Sequence, residues 1–245
     1  MITSLQNTQV KKWKKLHARK YRDRMQKFLI EGFHLVEEAD KSDWEMETII
    51  VQNGTTIPDW INESKVTAVN DRVFSEITQT DTPQGIAAVV YMKEVVPKTD
   101  EYILLTDAIQ DPGNLGTIIR TADAAGFSKI IVGSGTVDPF NDKAIRASQG
   151  SIFHVSLEKR DLIEAIQELK KSNYTVWASA LDEAADYSEL TVDGKAALIV
   201  GNEGAGISEA VLKEAGQKVK IPIFGEAESL NVSVAAGILM YKMRN

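Results

Sequence analysis

A chain of 245 residues, 43% hydrophobic and 26% charged, is long enough for one large domain or two small ones around a packed core. It has no cysteine and three histidines, which excludes disulfides and thiolate chemistry and argues against a structural zinc site. The formal net charge of −7 speaks against nucleic acid until its distribution is read: residues 1–28 hold nine basic side chains against one acid, Asp23.

The N-terminal stretch MITSLQNTQVKKWKK lacks the apolar core of a signal peptide, and no apolar run nears the ~20 residues that span a membrane. Together with the missing cysteine, this leads us to expect a cytoplasmic protein with no membrane partner. Residues 8–27 read as one basic helix, either a solvated face or a phosphate-binding footprint. FLIEG (28–32) reads as a strand, FHLVEEADK as a helix, ETIIV (47–51) as a strand, PDWINES as a short helix and KVTAV as a strand. NDRVFSEIT (70–78) opens on an asparagine cap and reads as a helix, and GIAAVVYM (85–92) as a buried strand. KEVVPKTDE (93–101) is polar and contains Pro97, as a linker would. Residues 1–95 therefore form one expected domain, 96–100 a linker and 101–245 a second domain.

The second part alternates strand and helix more strictly, which predicts an α/β fold on a parallel sheet. YILLTDA, KIIVG, TVWASA, AALIV and VKIPI (219–223) are its predicted strands. NLGTIIRTADAAGF, DKAIRAS, LIEAIQELKKS, SEAVLKEAG and SLNVSVAAGILMYKM are its helices, with Asn114 and Ser229 as candidate N-caps and Gly126 as a stop. AALIV is almost wholly apolar, as central parallel strands are. The last helix is apolar or small on nearly every face from Val232 to Met240, so it is buried in its own domain, against a second subunit, or both.

In an open parallel sheet, ligands bind beyond the carboxyl ends of the strands. Three segments leave strands with unusual chemistry: 107–127, 201–208 and 221–233. In the first, Arg120 lies about 140° from Leu115 on the helix, away from the apolar arc, where it is either an ordinary surface group or one aimed at an anion. In the second, GNEGAG sets three glycines around Glu203, a simple turn or a place where a ligand meets backbone; its spacing is not the dinucleotide fingerprint. A carboxylate there needs a partner, and Arg120 is the expected one. In the third, Asn231 begins a buried helix and needs a partner of its own. The three loops hold no histidine and no cluster of acids, so neither a serine triad nor a magnesium site is expected.

Taken together, DPGNLGTIIRTADAAGF, LIVGNEGAGIS and IPIFGEAESLNVSVAAGI resemble the three ordered motifs of the SPOUT superfamily in its SpoU/TrmH branch, which are S-adenosylmethionine-dependent RNA ribose 2′-O-methyltransferases. The resemblance covers residues 100–245. The stretch SLQNTQVKKWKKLHARKYRDRMQKFLIEGFHLVEEA resembles the substrate-binding domain, similar to a ribosomal protein, that precedes many members acting on ribosomal RNA. The resemblance implies a C-terminal trefoil knot, a homodimer formed through it, and S-adenosylmethionine held near Gly201, Ile221 and Leu230, with Ala180 beside them. It implies catalytic roles for Asn114, Arg120, Glu203, Ser229 and Asn231, with Glu203 orienting Arg120. Lys11, Lys12, Lys14, Lys15, Arg19 and Arg22 become the candidate RNA contacts, and 23S ribosomal RNA the expected substrate. Transfer RNA, a resistance methylase acting on large-subunit RNA, and a non-catalytic RNA-binding protein are the alternatives. A Rossmann-type oxidoreductase fits poorly, because VGSGTVD is no glycine fingerprint.

Overall fold

The computed structural model describes residues 1–97 and 101–245. The expected 96–100 linker therefore lies partly outside the described residues. The chain divides into two compact units, Met1–Lys93 with Phe140–Phe153, and Glu94–Pro139 with His154–Asn245. Residues 140–153, which the sequence reading placed in the second domain, thus belong with the first by their contacts.

The first unit runs α1 (Thr8–Lys15), α2 (Arg19–Met25), β1 (Lys27–Glu31), α3 (Phe33–Lys41), β2 (Met46–Gln52), β3 (Val66–Val69), α4 (Asp71–Ile77) and β4 (Ile86–Tyr91). The strands order β1-β4-β2-β3, antiparallel except for β2 with β3. One face packs Ile50, Ala87 and Val89 against Val10 and Trp13 of α1 and Val73, Phe74 and Ile77 of α4. Because side chains alternate along a strand, Phe28 and Ile30 of β1 turn to the opposite face, while Leu29 packs with the first cluster. There Phe28 meets Trp44, Phe140 and Phe153, with ring centroids 4.8 to 6.4 Å away. The Trp44 indole N–H donates to the Phe153 carbonyl at 3.0 Å. Two of these four aromatic rings come from 140–153, the segment that carries α6 (Asp142–Ser148).

Two predicted elements differ. The basic helix is not continuous over 8–27: it breaks at 16–18, and the Arg22 guanidinium donates to the Leu16 and His17 carbonyls, each at 2.8 Å. Those carbonyls have lost their helical partners, and a buried arginine supplies the missing donors. PDWINES forms no α-helix; only a 3₁₀ turn, Glu63–Lys65, follows the Asn62 cap. The Asn70 cap of α4 stands as read, its side chain accepting from Val73 N.

The second unit holds β5 (Tyr102–Asp107), α5 (Pro112–Ala124), β6 (Lys129–Val132), β7 (Ser156–Lys159), α7 (Leu162–Lys171), β8 (Thr175–Ser179), β9 (Ala185–Asp186), β10 (Ala196–Gly201), α8 (Glu209–Glu214), β11 (Gln217–Lys220) and α9 (Val232–Met243). The sheet order is β7-β6-β5-β10-β8-β11-β9, and every pairing is parallel. β10 lies at the centre and is buried at all its positions, as its apolar run predicted. α5 and α9 cover one face through Leu115, Ile119, Ala122, Ala236 and Met240. α7 and α8 cover the other through Ile166, Leu169 and Val211, with Ile207 just before α8. Gly126 ends the α5 region with φ +76°, as expected of a glycine stop.

The edge strands β7 and β9 were not predicted: SLEK and AD are short and polar, with no alternation to read. β11 ends at Lys220, before Ile221–Ile223, so the predicted strand over 219–223 is displaced toward the N-terminus. Pro222 has no N–H for a ladder, which fits a strand that stops before it.

Candidate active site

The site is built where β5, β8, β10 and β11 end. α5 starts at Pro112, and its cap is Asp111, whose carboxylate accepts from Asn114 N at 2.9 Å. Asn114 is thus not the cap; its side chain is free for other work. Similarly, α9 starts at Val232 with Asn231 as cap, accepting from Ser233 N at 2.9 Å and Ser233 Oγ at 2.6 Å, so Ser229 is not the cap. In both places the helix begins at a different residue from the one read, and the freed position faces the loops.

Glu203 ties the loops together. One carboxylate oxygen accepts from Gln110 N at 3.1 Å; the other accepts from Asp111 N and from Asn114 Nδ2, each at 3.0 Å. Asn114 Oδ1 accepts in turn from Asn231 Nδ2 at 3.0 Å. One chain of contacts therefore joins all three sequence segments. Burial works against the charged carboxylate, but the Asn114 amide and the Gln110 and Asp111 N–H groups outweigh it and hold Glu203 below its ordinary value.

The expected Glu203–Arg120 pair is not formed. Glu203 is engaged at the first turn of α5, and Arg120 lies six residues on, a rise of roughly 9 Å. Arg120 is exposed and makes no hydrogen bond or ion pair with a described residue. Gln110 N, Asp111 N and the Asn114 amide compensate the carboxylate instead.

Neighbouring contacts brace the turn. Asn202, which the sequence reading passed over, donates from Nδ2 to the Ala108 carbonyl at 2.9 Å and accepts from Gly204 N and Ala205 N at 2.9 Å each. Ala108 has φ +55°, a conformation that an alanine adopts only when held. Asp107 accepts from Ser208 N at 2.8 Å, joining the end of β5 to the start of α8. Asn202 was legible only as part of the glycine motif; its partner sits 94 residues away.

The glycines have separate reasons. A Cβ on Gly201 would stand 2.4 Å from Gly206 C and Ile207 N, because the turn folds back on the strand end; Gly206 has φ +70°. Backbone packing and conformation therefore demand these two without any ligand. Gly204 meets only ordinary contact, with Asn202 Oδ1 at 3.7 Å, and it lines the adjoining cleft.

That cleft has a volume of about 450 Å³. Ala180, Gly201, Ile221 and Leu230, the four residues expected to hold the methyl donor, all line it, as do Glu203 and Ser229. Asp182, Lys218 and Glu228 add charge to its wall. Arg120, Asn114 and Asn231 do not border it, although Asn114 and Asn231 are one bond away through Glu203 and the 229–231 turn. Among the described residues there is no group of acids or histidines able to hold a metal, and no helix is long and apolar enough to cross a membrane.

Of the candidate RNA contacts, Lys11, Lys12, Lys14, Lys15 and Arg19 are exposed in the first unit. Lys14 pairs with Glu76 and Arg19 with Asp23. Arg22 is 4% exposed and bound to backbone carbonyls, so it is a structural arginine and not a phosphate contact.

A parallel α/β sheet with a ligand-sized cleft at its strand ends, closed by three hydrogen-bonded motifs, defines the class, and the chain belongs to the SpoU rRNA Methylase family, which matches residues 101–241. The MRM3-like substrate binding domain matches residues 7–88. The chain is 47% identical over 244 residues to the 23S rRNA (guanosine(2553)-2′-O)-methyltransferase RlmP of Bacillus subtilis, covering 99% of this chain and 98% of that one. The AdoMet-bound rRNA methyltransferase from Sinorhizobium meliloti is similar in structure, with a TM-score of 0.87 at 33% identity, covering 98% of this chain and 95% of that one. The SpoU methyltransferase AviRb from Streptomyces viridochromogenes, in complex with AdoMet, has a TM-score of 0.84 at 25% identity, covering 97% of each chain.

Proposed function

We propose that the protein transfers a methyl group from S-adenosylmethionine to a ribose 2′-hydroxyl of 23S ribosomal RNA, in the cytoplasm. The observation that carries this reading is the cleft lined by Ala180, Gly201, Ile221 and Leu230 directly beside the Glu203–Asn114–Asn231 chain. The cleft fits the donor in size, since small-molecule sites run from about 300 to 1,000 Å³. Its chemistry fits too: Ile221 and Leu230 offer apolar walls to a purine, and Asp182 and Glu228 offer carboxylates to a cation. Bound there, the donor supplies an electrophilic methyl on a sulfonium.

The chain's own residues do the rest by position and charge. Glu203 and Asn231 fix the start of α5 and the start of α9 as one frame. Ser229 and Leu230 sit where that frame meets the cleft. Arg120 supplies a guanidinium to the substrate's phosphate and to the alkoxide that develops as the hydroxyl attacks, and the hydroxyl's proton passes to water. It is not a base, because a guanidinium holds its proton below pH ~12 and has no lone pair to offer. Positioning and preorganised electrostatics carry the acceleration.

The open side of α9 supports a homodimer. Val234 and Tyr241 are each 51% exposed there, next to exposed Thr117 and Ala124 of α5, a largely apolar surface that a second copy would cover. In this reading Arg120, on the same exposed side of α5, borders the interface. The 221–231 connection runs from β11 to α9, which lies with α5 on the face away from α8; a trefoil knot in this segment, as the family resemblance implies, is part of the same proposal. The first unit holds RNA through Lys11, Lys12, Lys14, Lys15 and Arg19. The relative from Bacillus subtilis makes a guanosine ribose the first candidate target.

The test is methyl transfer from labelled S-adenosylmethionine to ribosomal RNA from cells lacking this protein. Label in the large-subunit RNA at one position that resists alkaline cleavage is expected. Label in a base, in transfer RNA alone, or in neither RNA overturns the assignment.

A further inference from the structure

The 221–231 connection carries a side chain that neither the core nor the donor cleft uses. Phe224 is 97% exposed. The other phenylalanines are all buried or partly buried, with Phe28, Phe74, Phe127 and Phe153 at 3% exposure or less. Phe224 belongs to none of the apolar clusters of the second unit. Yet Ile221 and Ile223 before it, and Glu228, Ser229 and Leu230 after it, line the cleft. Phe224 therefore stands in solvent on a loop whose two ends border the site. Gly225 follows, and a Cβ there would meet nothing within 4 Å beyond its chain neighbours, so no other part of the chain packs on the loop at that point.

We propose that Phe224 is the platform on which the base of the target nucleotide stacks during methyl transfer. The inference rests on the reading of the cleft as the methyl-donor site. Its argument is covalent geometry. The base is attached to C1′, the ring carbon next to the one that bears the 2′-hydroxyl. When that hydroxyl reaches a methyl group held in the cleft, the base must lie at the rim, and an aromatic face is what RNA-binding proteins use to hold an unstacked base. A purine gives the largest overlap with the ring. Ile223 and the Phe224 ring thus divide the labour on one short segment: the first faces the donor, the second the acceptor nucleotide.

Once the target position is mapped, the test uses the full-length protein and a large-subunit RNA fragment carrying that position. Removing one stacked base from an aromatic platform costs about 5- to 150-fold. Phe224→Ala is therefore expected to lower kcat/KM for RNA about 5- to 150-fold, with the dissociation constant for S-adenosylmethionine and the oligomeric state unchanged. Phe224→Tyr and Phe224→Trp restore activity; Phe224→Leu, apolar without a π face, does not. The second arm replaces the target nucleotide by an abasic ribose. Wild type loses rate on that RNA, whereas Phe224→Ala, already slow, loses little or nothing further, because the two changes remove one contact. Independent, multiplying losses overturn the proposal, as does full rescue by leucine. Weaker donor binding in Phe224→Ala, or a change in oligomeric state, also overturns it and reassigns the ring to the donor or to a second copy of the chain. If wild type methylates no RNA, the underlying reading fails and takes this inference with it; if wild type is active and Phe224→Ala matches it, only this inference fails.

Discussion

Glu203 accepts hydrogen bonds from three donors that lie within five residues of one another, Gln110, Asp111 and Asn114. Replacing it by glutamine keeps one acceptor oxygen and turns the other into a donor that faces N–H groups, an arrangement that water reaches at this exposed side chain and that costs about 1 kcal/mol or less. The Glu203 carboxyl is held below its ordinary value of 4.5, so its stabilising effect is complete above that pH and is lost as pH falls through the lower folded value. The stability gap between wild type and Glu203→Gln, measured by denaturant unfolding, is expected to be widest near neutrality and to close below pH 4.5; a gap that widens in acid refutes this. Arg120 makes a contrasting case. With no hydrogen bond or ion pair to a described residue, it should cost little to remove structurally. Arg120→Ala is expected to lower methyl transfer by at least ~10²–10³ while binding of S-adenosylmethionine and thermal stability stay put. Lost donor binding with normal residual turnover would defeat its role. The identities of Asn114, Glu203 and Asn231 were legible in the motifs, because a polar group placed at a buried strand or helix end advertises itself. Their partners were not. Charge alone suggested Arg120 for Glu203, whereas two of its three donors proved to be backbone N–H groups, which no side-chain reading displays.

At the scale of elements, periodic and apolar segments read well and polar ones did not. β4, β10 and α7 lie where their patterns put them, since burial of an alternating or continuous apolar run leaves few other solutions. Helix starts shifted at α5 and α9 because each carries two polar candidates near its first turn, and the cap is decided by which carboxylate or amide reaches an N–H. The break at 16–18 was hidden because its cause, Arg22, looks in sequence like one more cation. Residues 140–153 were hidden for another reason: their helical pattern says nothing about which sheet it covers. Their aromatic ends tell. Phe153 is 3% exposed and packs 5.5 Å from Trp44 and 6.4 Å from Phe28, ring centre to ring centre. Phe153→Ala is therefore expected to destabilise the first unit by ~3–5 kcal/mol. Calorimetry should show a transition shifted to lower temperature with S-adenosylmethionine binding retained. An unshifted profile would mean that 140–153 is not part of that unit's core.

At the scale of the whole molecule, an acidic protein with a basic N-terminal segment has to attract RNA through a small part of its surface. The formal charge of −7 repels phosphate at long range, so binding depends on the cations that reach solvent. Burial separates these from the rest. Lys11, Lys12 and Lys15 project from α1 into water, whereas Arg22 spends its donors on Leu16 and His17. Each phosphate contact releases counterions and adds about 0.7–0.9 to the slope of log affinity against log salt. Replacing Lys11, Lys12 and Lys15 together by glutamate should weaken RNA binding, lower that slope by about 2 to 3, and leave the affinity for S-adenosylmethionine alone. Arg22→Ala should behave in the opposite way. Two backbone carbonyls lose their donors, the α1–α2 break loosens, and the unfolding midpoint of the first unit falls, while RNA binding by the folded protein keeps its salt slope. If Arg22→Ala instead lowers the slope by a full contact with no loss of stability, the division of this segment into structural and phosphate-binding cations is wrong.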